Sequence, residues 1–345
     1  MKKSSSGGKR IALIILCIVL AIILAVLVGG TIYANHLMGL MNRVENEVTL
    51  SQEELNELLA DETVAPDDTA PVLDESEIDW GDVDETVPVI EEKEHIVNIL
   101  LIGQDARSAE VRARSDTMIL CTFNTETKTI TLTSFLRDLY VQIPGYQDNK
   151  MNSAYPAGGM ELLNETLELN FGVQVDGNVE VNFFDFADVI DLLGGVDMEL
   201  RQDEAYYINM TAKGTPVSAG LMHLNGEQAL QYSRIRHLDP DADFSRTGRQ
   251  RKVINALIEK FRNTKLTTLL GLLDDLLPMI TTDMTNSEII GYATDLFPML
   301  SECTIVSQRV PADGHFYYAT IRQMSCVVAD MDAAREMLRQ TILGE

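Results

Sequence analysis

The chain has 345 residues, 53 acidic against 27 basic, for a net charge of −26. That balance excludes a nucleic-acid binder, because a phosphate backbone selects a basic surface. With 46% apolar and 23% charged residues the chain can bury a real core, so wholesale disorder is excluded as well. Cys17, Cys121, Cys303 and Cys326 stand singly, without the spacing of a disulfide scaffold or a zinc site.

Residues 1–10 carry Lys2, Lys3, Lys9 and Arg10, and residues 11–28 then run without a charge. As a helix that run rises about 27 Å, at about 1.5 Å per residue, and extended to residue 34 it spans a bilayer. Basic residues before it and acidic ones after it place residues 1–10 in the cytoplasm and everything after Ala34 outside. The reading is a single-pass signal anchor in the cell membrane over residues 11–34. A cleaved signal peptide is the alternative, but no A-x-A site follows the apolar run. Residues 35–94 read as a short juxtamembrane helix at SQEELNELLADE and then a solvated acidic linker that holds the domain off the membrane. Cation binding in the wall is the competing reading of that stretch.

From residue 95 to 345 the patterning changes to that of one α/β domain. IVNILLIG and TMILCTFN are buried-strand runs, the second leading through NTETK into TITLTS as a hairpin. MELLNETLELNFG predicts a helix, VEVNFF a strand, FFDFADVIDLLGG a helix stopped by Gly194 and Gly195, and VDMEL a strand. NGEQALQYSR predicts a helix opening at Asn225, and SRTGRQRKVINALIEKF another. Helices are expected near residues 266–277, 287–300 and 331–343, with a strand at CTIVSQRVP.

The arginines are unevenly spread in this acidic domain: Arg107, Arg112 and Arg114, then Arg137 alone, then Arg234, Arg236, Arg246, Arg249 and Arg251. Arginine recognises phosphate oxygens through a bidentate fork and keeps its charge in a cleft. Arg234 and Arg236 point the same way if YSRIRH is extended. Asp243, Arg246 and Gln250 fall at i, i+3 and i+7, one stripe of a helix. Arg251 lies off that stripe and is expected to tolerate alanine. A solvated, salt-bridged helix end is the alternative to an anion site. Asp105 follows one predicted strand and Asp116 precedes the next; two strand-end carboxylates are ligands of the kind magnesium takes, together with phosphate and water. No P-loop is present, and Ser115, Ser134 and Ser245 have no histidine and acid in recognisable order for a serine hydrolase. His237 reads as a surface histidine, with a general base beside Arg236 as the alternative.

NILLIGQDAR, RSDTMIL, SFLRDLYVQIPG, NSAYPAGG, LLGGV, GLMHLNGEQALQYSRIRH and DFSRTGRQRKVI occur in an order that resembles the LytR-CpsA-Psr family, from about residue 96 to the end. The resemblance implies a central mixed β-sheet flanked by helices. It also implies an extracytoplasmic phosphotransferase that moves a glycopolymer, teichoic acid or capsular polysaccharide, from an undecaprenyl pyrophosphate carrier to peptidoglycan. By resemblance, Asp105 and Asp116 are magnesium ligands, with manganese as the alternative ion. Arg114, Arg137, Arg234, Arg236, Arg246 and Gln250 match pyrophosphate-binding positions. Asp243 and Asp138 match acids that assist catalysis beside Arg137. Phe135 and Leu136 depart from the family pattern, where proline commonly precedes the arginine, as does Gln104 before Asp105. The expected partners are the lipid-linked glycan, the peptidoglycan acceptor and the membrane lipid. A polyprenyl pyrophosphate hydrolase and a non-catalytic lipid-phosphate-binding regulator compete with this reading, because both need the same anion cradle.

Overall fold

The structure is a computed structural model that describes residues 33–44, 48–59, 70–81, 87–90, 93–104, 114–240 and 242–343. The expected anchor over residues 11–34 lies, apart from its last two residues, outside the described residues. Among the described residues no helix is long and apolar enough to cross a membrane.

Five strands carry the domain: β1 (Ile96–Gln104), β2 (Ser115–Asn124), β3 (Thr129–Phe135), β4 (Gly177–Asn182) and β5 (Thr304–Val310). They lie in the order β4-β1-β2-β3-β5, and two short strands, Thr281–Thr282 and Asn42–Arg43, extend the edge beyond β4. β4 is parallel to β1 and β5 parallel to β3, whereas β1, β2 and β3 are successively antiparallel, so the sheet is mixed as expected. The expected hairpin joins β2 to β3, with Asn124 Oδ1 accepting the N–H groups of Glu126 at 3.1 Å and Thr127 at 2.9 Å.

The central strands are apolar on both faces because helices cover both. On one face Leu100, Ile102, Met118, Leu120 and Phe135 pack on helix α1 (Ala154–Phe171) and the C-terminal helix Met331–Leu343. α1 extends further upstream than the sequence reading, with a break at Gly158 and Gly159, where Gly159 takes φ 70°. On the other face Ile99, Ile119, Cys121, Ile130 and Leu132 meet the helix Asn286–Leu300 and Ile254 and Ile258. Those two isoleucines belong to a long helix that also joins a satellite core. That core holds α2 (Phe183–Leu192), α3 (Gly226–Ser233) and the long helix, α4 (Ala242–Asn263), against the strand pair Val196–Leu200 and Gly220–Leu224.

The helix boundaries follow local chemistry. Asn182 caps α2 by accepting the N–H groups of Phe184 and Asp185, both at 2.9 Å, and Gly194 and Gly195, both at φ 77°, end it. Asn225 opens α3 through a capping box with Gln228. Gly226 permits the closest approach in the domain: a Cβ there would lie 1.9 Å from the Ala187 carbonyl oxygen of α2. Gly226→Ala is therefore expected to push two helices apart and to cost about 1–3 kcal/mol or more. A urea denaturation midpoint no lower than that of the native chain would contradict this.

Two expectations need correction. Residues 35–94 are not a free spacer where they are described. Leu55 of the helix Gln52–Leu59 is fully buried in the main core, Val72–Leu73 pairs with the strand Phe316–Ile321, Ile78 and Ile90 are buried, and Trp80 stacks on Tyr140 at 6.0 Å. The acidic composition conceals a few apolar residues spaced to dock on the domain. The YSRIRH segment is also not a strand: Arg234 ends α3 with φ −97° and ψ −4°. The helix Gln202–Thr211 and the hairpin of Phe316–Ile321 with Met324–Ala329 have no counterpart in the sequence reading. Cys121, Cys303 and Cys326 are buried free thiols, and burial pushes the Cys121 thiol up to about 12.

Candidate active site

Three segments distant in the chain converge at the end of the sheet where β2 begins and β3 finishes. β2 supplies Asp116, the turn after β3 supplies Arg137 and Asp138, and α4 with the loop before it supplies Arg236, Asp243 and Arg246. Arg137 is the hub. Its Nη1 donates to Asp116 Oδ1 at 3.0 Å, and its Nε lies 3.3 Å from Asp138 Oδ2 and 3.6 Å from Asp243 Oδ1. Arg236 reaches two of the same acids, with Nε 3.6 Å from Asp243 Oδ1 and Nη2 3.8 Å from Asp116 Oδ2. The expected helical stripe forms: Arg246 Nη2 donates to Asp243 Oδ2 at 3.0 Å and approaches the Asp116 carbonyl at 3.4 Å.

The backbone around Arg137 and Asp138 is pinned from three sides. Leu136 N–H donates to Val310 O of β5, Asn152 N–H to Arg137 O and Val327 N–H to Asp138 O. A long side chain on a fixed backbone loses less entropy when it binds. Arg249 has a supporting role: it donates to Glu204 Oε1 at 2.9 Å, to the Ile235 carbonyl at 3.2 Å and to Asp239, which holds the loop that aims Arg236. Lys150, overlooked in the sequence, is almost fully buried with Nζ 3.0 Å from Asp138 Oδ1. Glu180 is buried too, and accepts from the Tyr155 hydroxyl and from the amide of Gln104, the residue before Asp105. No local pattern marks either residue.

Burial by itself would lower the Arg137 pKa, but the carboxylates of Asp138, Asp116 and Asp243 outweigh it and hold the guanidinium charged. Asp243 is pushed up to about 6, first by burial and then by the Asp138 and Asp116 charges, against the pull of Arg137 and Arg236. Arg246 Nε and Gln250 Oε1 are buried without a hydrogen-bond partner, beside Arg137 Nε and Asp138 Oδ1, which are held by ion pairs. Unsatisfied polar atoms are rare in folded proteins, and their concentration here marks a place where a polar ligand would complete the bonding.

The remaining expected residues fall differently. Arg234 is exposed at the end of α3, with its guanidinium 4.9 Å from the centre of the Phe183 ring. Arg114 caps the helix Gln52–Leu59, donating to the carbonyls of Leu58 at 3.4 Å and Leu59 at 3.3 Å. Arg251, expected to lie off the binding stripe, is buried. His237 is exposed. Asp105 lies outside the described residues. Among the described residues no group of three or more His, Cys, Asp or Glu is placed to hold a metal ion. The chemistry of Asp116 fits magnesium, which binds through one or two carboxylates and completes its shell with water and phosphate oxygens.

The model of the LytR_cpsA_psr family matches residues 61–340, most of the chain. The chain belongs to the LytR-CpsA-Psr family. A polyisoprenyl-teichoic acid–peptidoglycan teichoic acid transferase, TagU of Bacillus cereus, is 34% identical over 231 residues, 65% of this chain and 71% of that protein. The crystal structure of Bacillus subtilis TagT superposes with a TM-score of 0.59 at 28% identity, covering 76% of this chain and 98% of that one. A TagT structure with bound octaprenyl pyrophosphate lipid gives 0.57 at 28% identity, over 78% of this chain and 99% of that one. This LytR-CpsA-Psr protein is an enzyme of the transferase type.

Proposed function

We propose that the chain transfers an anionic glycopolymer, teichoic acid or capsular polysaccharide, from undecaprenyl pyrophosphate to the muramic acid C6 hydroxyl of peptidoglycan. The convergence of Arg137, Arg236 and Arg246 on one sheet end, with three carboxylates interleaved, carries this reading. Support comes from relatives named for teichoic acid transfer and from the octaprenyl pyrophosphate bound by TagT.

In this mechanism Arg137, Arg236 and Arg246 hold the oxygens of the pyrophosphate and stabilise charge as it develops at phosphorus. Gln250, one helical turn beyond Arg246, extends the cradle. Asp243 takes the proton of the acceptor hydroxyl: with a pKa near 6 it is ionised at neutral pH yet more basic than an ordinary aspartate. Asp138, tied to Lys150 and Arg137, orients the guanidinium of Arg137. The hydroxyl oxygen bonds to the phosphorus next to the glycan, the anhydride P–O bond breaks, and undecaprenyl phosphate leaves. Magnesium, held by Asp116 and Asp105, would supply Lewis-acid neutralisation of the phosphate oxygens.

The test incubates the full-length chain with magnesium, a lipid-linked glycan and peptidoglycan. A glycan–peptidoglycan phosphodiester is the expected product; release of glycan phosphate to water would replace this reading with a hydrolase, and binding without turnover with a regulator. Asp116→Asn is expected to slow transfer by about a hundredfold or more, and full activity of that variant in EDTA would remove the metal role. The proposed location, a catalytic domain outside a single-pass anchor, predicts that protease added to intact protoplasts removes the domain. Protection of residues after 45 would reverse the orientation.

A further inference from the structure

The helix stripe that covers the sheet contains a charge the transfer mechanism does not use. Arg251 sits three and seven residues before Ile254 and Ile258, which pack on the Ile119, Ile130 and Leu132 face of the sheet, so Arg251 points onto that same face. Its relative exposure is 8%, and both Nε and Nη1 are buried without a hydrogen-bond partner. Among the described residues it makes no ion pair.

The neighbouring charge is another arginine. Arg309 of β5 lies beside Ser134 of β3 in the sheet register, and Ser134 alternates with Ile130 and Leu132 on this face. The Arg309 guanidinium stands 4.4 Å from the centre of the Phe244 ring of α4, and its Nη2 reaches the exposed Asp313. Its Nε is buried and unpartnered, as is the Ser134 hydroxyl oxygen. Burial, and then the charge of Arg309, pull the Arg251 pKa down to about 10. Of the two arginines only Arg309 has a carboxylate partner, the exposed Asp313, and unsatisfied donors of both stand with an unpartnered hydroxyl on one face. An uncompensated buried cation is costly, and the usual compensation is an anion.

We propose that Arg251, Arg309 and Ser134 form a second oxyanion site, on the sheet face beneath α4, that takes a phosphate group. A planar carboxylate saturates one guanidinium fork, whereas a tetrahedral phosphate can present separate oxygens to two guanidinium edges and a hydroxyl. The group is a phosphomonoester or free phosphate on one hand, or a phosphodiester of a glycopolymer backbone on the other. The site does not depend on the transfer reaction, so its failure and that of the proposed function are distinguishable.

The experiment titrates the purified full-length chain in detergent with inorganic phosphate, with glycerophosphoglycerol as a soluble diester and with acetate. Thermal midpoint and 31P line broadening are the readouts. Phosphate is expected to raise the midpoint saturably, and Arg251→Met or Arg309→Gln to weaken that binding by about tenfold or more. Without added anion Arg251→Met is expected to melt higher than the native chain, because the unpaired cation is gone. A diester response assigns the site to a polymer backbone, and a response to inorganic phosphate alone assigns it to a terminal phosphate. The proposal is overturned if acetate matches phosphate, if neither phosphate compound binds, or if both variants bind like the native chain. Arg309→Gln decides the matter should Arg251→Met fail to fold.

Discussion

Replacing Arg137 by alanine is expected to give the largest loss of both activity and stability of any single change in the site. The guanidinium bridges Asp116, Asp138 and Asp243, which approach one another only because it lies among them. Without it three carboxylates share a partly buried space with Arg236, Arg246 and Lys150 at their margins. Breaking a buried pair from one side costs about 3–5 kcal/mol, and partial exposure places this case near the lower figure. Loss of a donor preorganised toward developing charge costs a further hundredfold to thousandfold in rate, roughly. Arg137→Lys separates the two effects. Lysine restores a positive charge and part of the stability, but it cannot present Nη1 to Asp116 while presenting Nε to Asp138 and Asp243. Transfer rates near those of the alanine variant, with a urea midpoint between alanine and native, are the expected result. A lysine variant with native rates would show that charge alone suffices.

Asp243→Asn is expected to move rate and stability in opposite directions. The folded chain holds the Asp243 proton up to a pH of about 6, whereas an unfolded aspartate releases it near 3.8. Between those values the folded state binds more protons than the unfolded one, so stability falls as pH rises through the window. At about 1.4 kcal/mol per pKa unit, the ionised group costs on the order of 3 kcal/mol above pH 6. Asparagine does not titrate. The variant is therefore expected to be more stable than the native chain at pH 7.5 and to lose that advantage toward pH 4, as urea midpoints at the two values would show. Its transfer rate is expected to drop by about a hundredfold to ten-thousandfold with the base removed. The native rate is expected to rise with pH through about 6. A variant less stable than the native chain at pH 7.5 would show that the ion pairs to Arg236 and Arg246 dominate the cost of burying the carboxylate. Such a cost, tolerated for chemistry, is the ordinary form of a trade between stability and function.

How much of this was legible in the chain follows the range of each physical signal. Continuous apolar runs disclosed β1, β2 and β3, since a strand covered on both faces needs no alternation. Capping and stop residues disclosed the start of α3 at Asn225 and the end of α2 at Gly194 and Gly195, because those bonds close within a few residues. The stripe of Asp243, Arg246 and Gln250 was legible for the same reason: helix period is local. Strand-end position marked Asp116 and the uneven spread of arginines marked Arg137 and Arg236, while the family motifs added Asp138 and the roles, without stating which residue touches which.

Pairing was decided by the tertiary structure. Asp116, Arg137 and Asp243 meet because β2 runs antiparallel to β3 and α4 crosses the same sheet end, an arrangement no window of residues encodes. The same topology moved Arg114 to a helix end and buried Lys150 against Asp138. It also buried Arg251, expected only to lie off the binding stripe, without an ion-pair partner among the described residues. The acidic stretch before the domain is the clearest contrast. Its composition determines that it is charged and soluble, but Leu55, Ile78, Trp80 and Ile90 dock only because grooves made by distant segments receive them. Charge type and local period are properties of neighbours in sequence; the partner of a buried charge depends on which surfaces the folded chain brings within a few ångströms, where low dielectric makes the choice energetically decisive.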